Sequence, residues 1–164
     1  MRTLLAAAIL LVAEVFAGER QFVSPNRKFE AYTTAANEDG TGAKLFLRRA
    51  KSRDAGVFLR QNNRWIDAKW SPDSRFLAVI DHLDGQISDV YVLGVAAADA
   101  APTLFYHTPD LRTYNVKWEV TGWNVARRQV ILDKAVKHEM SGRTTHEKLV
   151  AHIGIKPLKL DESE

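Results

Sequence analysis

Cysteine is absent from all 164 residues. That removes disulfides, thiolate metal sites, cysteine nucleophiles and the acylated residue of a lipoprotein, so the fold must stand on packing. Charge of one sign is scarce as well. Lys and Arg number 23 against 20 Asp and Glu, a net of +3, far from the footprint of a nucleic-acid binder. No apolar run approaches the roughly 20 residues a bilayer-spanning helix needs, and no long stretch carries a helical 3.6-residue period. Several catalytic signatures are missing too. No G-x-S-x-G elbow surrounds Ser141, whose neighbours are His138, His146 and Asp133, and catalytic triads are recognised by geometry rather than by such proximity.

The first seventeen residues read as a secretory signal peptide. Arg2 is the only charge of a short basic region, Leu4 to Val12 are apolar, and Val15-Phe16-Ala17 sets small residues before a cut after Ala17. Glu14 is an unusual charge at the end of that run. The expected location is therefore the periplasm or the cell exterior. Cleavage leaves 147 residues, enough for one domain with a true core.

A short phrase occurs twice. Ser24-Pro25-Asn26-Arg27-Lys28-Phe29 returns as Ser71-Pro72-Asp73-Ser74-Arg75-Phe76, a period of 47 residues, which marks a repeat architecture. Around it lie short β-rich runs separated by turns: 29–34, 44–49 and 56–60, then 75–80, 89–93 and 103–107. Asp39-Gly40 and Asp84-Gly85 stand at matching places and signal hairpins, because glycine supplies the positive φ of a tight turn. Phe46 and Tyr91 also match, and Trp70 and Trp118 recur at a spacing of 48. Residues 64–70 and 113–118 alternate as half-buried strands that open the next unit.

The segment Trp70-Ser71-Pro72-Asp73-Ser74-Arg75-Phe76-Leu77-Ala78, followed by Asp89-Val90-Tyr91-Val92-Leu93, resembles the WD40-like repeat of the TolB-like β-propellers. The repeat also occurs in propeller domains of prolyl oligopeptidase-type and tricorn-type proteases. The resemblance implies that the Ser-Pro-Asp-Gly turn joins the first two strands of a blade and that the Asp-aromatic segment is the third strand. Ser74 stands where that repeat has glycine, and Asn26-Arg27 stand for Asp-Gly. The likeness covers about residues 20–118, and Glu119 to Trp123 fits it poorly. Two clear repeats and one degenerate repeat follow, at about 20–66, 67–114 and 115–155, with a disordered tail at 156–164.

The expected fold is all-β, with about three propeller-like antiparallel four-stranded blades. Closed propellers use 4–8 blades. Three outcomes are open: an incomplete, open stack, a ring completed by oligomerisation between chains, or a relic repeat inside a sandwich. Ser24, Pro25, Phe29, Trp70, Ser71, Pro72, Asp73, Phe76, Tyr91 and Trp118 are the structural repeat residues.

Candidate chemistry is sparse. Asp81, Asp84 and Asp89 do not have EF-hand spacing, nor does Asn37-Glu38-Asp39-Gly40. His146 and His152 on one strand would lie about 20 Å apart at about 3.3 Å per residue, too far for one ion, and His138 lacks the close partner of a zinc pair. No catalytic, metal or cofactor-binding residue is therefore assigned. The basic run Arg48, Arg49, Lys51 and Arg53 is the candidate partner-binding element, with Trp65 at the mouth of its strand. The expected function is a non-catalytic binding or scaffold module for another protein, with a lectin-like, carbohydrate-binding assembly of several subunits as the alternative.

Overall fold

The computed structural model describes residues 20–34, 42–61, 64–83, 85–109, 115–156 and 158. The expected signal peptide, most of the turn at 37–42, Asp84, residues 113–114 and the end of the tail lie outside them.

The described residues form eleven strands and no helix, so none of them lies in a helix able to cross a membrane. β1 (Gln21–Val23), β2 (Phe29–Thr33), β3 (Lys44–Arg49) and β4 (Val57–Gln61) make a first antiparallel sheet in chain order. β5 (Trp65–Trp70), β6 (Phe76–His82), β7 (Ser88–Gly94) and β8 (Thr103–His107) make a second. β9 (Val116–Asn124), β10 (Gln129–Lys137) and β11 (Thr144–His152) make a third. The fold is all-β, an open stack of three propeller-like sheets. The third sheet has three strands among the described residues rather than the expected four. The first change of sheet falls between Gln61 and Trp65, so β5 belongs wholly to the second sheet.

The repeated phrase builds the same turn twice. In each copy the serine hydroxyl accepts the backbone N–H of the phenylalanine five residues on, Ser24 from Phe29 and Ser71 from Phe76, both at 2.9 Å. The same hydroxyl donates to the next turn residue, Asn26 Oδ1 at 2.8 Å and Asp73 Oδ1 at 2.6 Å. Arg27 and Ser74 stand at the glycine position of the resembled repeat. Both adopt left-handed φ, 57° and 61°, a conformation glycine enters without cost. The turn joins β5 to β6, and Asp89-Val90-Tyr91 lies in β7, the third strand of its sheet.

Alternation sorts the side chains into two cores. Ala31, Leu45 and Leu47 of the first sheet meet Ile66, Trp70, Leu77 and Val79 of the second. Phe76, Ala78, Ile80, Val90 and Val92 on its other face meet Val116, Trp118, Val120, Val130 and Leu132. All seven residues of β6 are therefore buried, and its sequence reads as a nearly continuous apolar run rather than an alternating one. Trp70 stacks on Phe29 at 6.2 Å, and its indole N–H donates to the Phe22 carbonyl at 2.7 Å, pinning the first sheet to the second. Gly94 lies under Phe105, where a Cβ would come within 2.4 Å of the ring. After β11 the chain continues along the second sheet, where the Leu158 N–H donates to the Leu104 carbonyl at 2.8 Å. The beginning of the tail expected to be disordered is therefore tied down.

Candidate functional site

The two faces of the second sheet are covered, and this explains the first. In the second sheet, register places Ala68, Val79, Tyr91 and His107 side by side in one row across four strands. Ala68, Val79 and Tyr91 from this row pack toward the first sheet. The matching row of the first sheet is Gln21, Tyr32, Phe46 and Phe58. It lies on the side facing away from the second sheet, since Ala31, Leu45 and Leu47 fill the opposite side. Tyr32 stacks on Phe46 at 5.5 Å, and Phe46 meets Phe58 edge-on at 5.7 Å. Phe58 is 53% exposed. An aromatic ladder thus occupies a face that the next repeat buries against its neighbour.

The basic run flanks this ladder. Arg48 Nε and Nη2 donate to Glu30 Oε1 at 2.8 and 2.5 Å, and the guanidinium lies 4.1 Å from the centre of the Tyr32 ring. Its charge is matched by a carboxylate. Arg49, by contrast, is exposed and stands 3.7 Å from an exposed Asp99. Lys51 and Arg53 are exposed in the loop between β3 and β4. The Tyr32 hydroxyl donates to the Ala55 carbonyl at 2.6 Å and holds that loop against the ladder. Gly56 closes it at φ 73°, where a Cβ would fall 2.2 Å from the Leu47 carbonyl oxygen. A cavity of about 390 Å³ opens between Arg48, Arg49, Asp54 and Asp99.

Trp65 lies apart from the basic run, in a groove of about 340 Å³ between the second and third sheets, with Asp67, His82, Lys117 and Glu119. Its ring stacks on His82 at 4.7 Å, with the Arg64 guanidinium 5.3 Å from its centre. Asp67 bridges His82 Nε2 at 3.3 Å and the guanidinium of Arg20 in front of β1. The hydrogen bond with His82 and the charge of Arg20 hold the Asp67 carboxyl below its ordinary range, against the upward push of burial.

Asp81 is taken by Arg60 of the first sheet, whose guanidinium also lies 4.1 Å over Tyr91. Tyr91 in turn stacks on His107 at 4.2 Å. His138, His146 and His152 contact three different residues: Thr145 at 3.2 Å, Asp133 at 2.8 Å and Gln129 at 3.2 Å. The Ser141 hydroxyl accepts the Arg143 N–H at 3.3 Å. Among the described residues no three His, Asp or Glu side chains converge as a metal site.

The basic run and Trp65 stand out in the sequence, whereas the ladder and the pairing of Arg48 with Glu30 do not. Matching Phe46 to Tyr91 was the available signal. It needed the order of the sheets to show that Tyr91 packs toward the first sheet while Phe46 faces away from the second.

No protein family and no curated protein matches the chain. Its fold is similar to the beta-propeller domain of the Trilobed protease from Pyrococcus furiosus, which has an open velcro topology. The TM-score is 0.55 at 16% identity, over 87% of this chain and 43% of that one. The chain thus spans less than half of that neighbour. The likeness shows the β-propeller fold.

Proposed function

We propose that this chain is an exported, non-catalytic binding or scaffold module, of the TolB-like kind, that recognises another protein. The observation that carries this reading is the Tyr32–Phe46–Phe58 ladder, half-buried at Tyr32 and Phe46 and open at Phe58, equivalent to a row whose Ala68, Val79 and Tyr91 pack against the first sheet. Apolar surface exposed in a contiguous patch marks an interaction site, and aromatics with arginine are enriched at interface centres. Carbohydrate stacking on Trp65 is less well supported, because His82 already stacks on that ring.

The test is affinity isolation of the tagged chain from the cells that make it, beside a variant carrying Phe58→Ser, Arg49→Ser and Arg53→Ser. A protein retained by the native chain and lost with the variant is expected. Identical sets of retained proteins would contradict the proposal.

A further inference from the structure

We infer that the outward face of the first sheet takes a sheet face of another protein, small and aliphatic at its centre and rimmed by carboxylates. The inference rests on the reading of this chain as a protein-binding module and names the chemistry of its partner.

The outward face continues a packing already present between the first two sheets. What lies on the Val79–Tyr91 row of the second sheet is a sheet face of small and branched aliphatics, Ala31, Leu45 and Leu47. The first sheet repeats that row as Tyr32–Phe46–Phe58, so a face of the same kind fits over it. A second row differs. Leu77, Leu93 and Leu104 of the second sheet become the Glu30–Arg48 ion pair in the first. The outward surface is therefore aromatic on one side and polar on the other, as a separable interface is.

Charge sets the chemistry of the rim. Residues 20–61 hold nine Lys and Arg against four Asp and Glu, a net of +5, which leaves the rest of the chain at −2. Lys44, Lys51 and Arg53 are exposed on the strand and loop that carry the ladder, whereas Arg49 stands in register with Phe29 on the side toward the second sheet. A carboxylate-rimmed partner is steered to such a surface and a basic one is repelled.

A second copy of this chain fits less well. Two first sheets would bring equal positive charge together. The other uncovered sheet face, on the third sheet, pairs Ile131 with Val150 but interrupts that apolar patch with Asp133, which pairs with His146 and stands in register with Lys148.

The test uses the full chain and two labelled cyclised β-hairpin peptides. Both have Leu and Ala on one face, with flanking Glu in one and flanking Lys in the other, and binding is read by fluorescence anisotropy. The Glu peptide is expected to bind about tenfold or more tightly than its Lys twin, and to weaken as salt rises. Phe58→Ser, and separately the exposed-site change Arg53→Glu, should each weaken it by about tenfold, with circular dichroism showing both variants folded. Equal binding of the two peptides, or no binding of the Glu peptide, overturns the inference. So does a dimer by light scattering that Phe58→Ser returns to monomer. If the peptides fail while Phe58→Ser still removes a co-isolated protein, the module reading stands and the partner chemistry falls. If both fail, both fall.

Discussion

The Ser74 hydroxyl accepts the backbone N–H of Asn26 at 3.0 Å, so the turn of the second repeat is tied directly to the turn of the first. Ser74 is 2% exposed and sits at φ 61°. Glycine would relax the backbone there but could not make this bond, which gives a physical reason for serine at a position where the resembled repeat has glycine.

Two substitutions separate these effects. Ser74→Ala keeps the strained backbone and loses the bond, and should destabilise by about 1 kcal/mol. Arg27 occupies the same backbone position, and its side chain is exposed at the turn, so Arg27→Gly should stabilise by about 0.5 kcal/mol. Urea unfolding followed by tryptophan fluorescence measures both. Equal destabilisation by the two would show that the turns do not work this way.

Arg60 and Asp81 hold the outer part of the first interface, with Asp81 almost wholly buried. Arg60→Met leaves that carboxylate without its cation and should cost about 3 kcal/mol. Adding Asp81→Leu to it should recover most of the loss, because two apolar groups replace the pair. A double variant as unstable as Arg60→Met alone would contradict this.

Asp67 predicts acid sensitivity. Its carboxyl is held below the ordinary value by the hydrogen bond with His82 and by Arg20, so the folded state binds its proton later than the unfolded chain does. The stabilisation is present above the unfolded value of about 4 and is lost as pH falls through the lower folded value. Asp67→Asn should therefore lower stability at neutral pH and flatten its decline below about pH 4, read as urea midpoints across pH. Parallel curves for the variant and the native chain would dismiss the linkage.

Core residues give a contrast with the ladder. Leu77 is fully buried, and Leu77→Ala should cost about 3 kcal/mol. Phe58 meets Phe46 edge-on and is about half exposed. Phe58→Ser should cost about 1 kcal/mol by thermal or urea unfolding. A loss as large as that of Leu77→Ala would make Phe58 a structural residue.

Apart from β1, which no run in the sequence marks, the strands of the first two sheets were legible because the Ser-Pro phrase and the alternating runs recur. The third sheet was only partly legible. Its first turn is Val125 to Arg128, with no Ser-Pro phrase, and Asp133, His146 and Lys148 stand where the other sheets place aliphatics. The basic run was legible as charge, but the neutralisation of Arg48 was not. Glu30 lies eighteen residues earlier, and the cross-strand register of β2 and β3 brings them together. Tyr32, Phe46 and Phe58 alternate like core residues, and burial depends on a neighbouring sheet that local pattern does not describe.

The most direct measurement is photo-crosslinking in the producing cells, with a photoreactive phenylalanine analogue placed at Phe58 on the first sheet or at Val150 on the outward side of the third. The account predicts a discrete product with another protein from Phe58 and none from Val150. A product from Val150 alone, or none from either position, would contradict it.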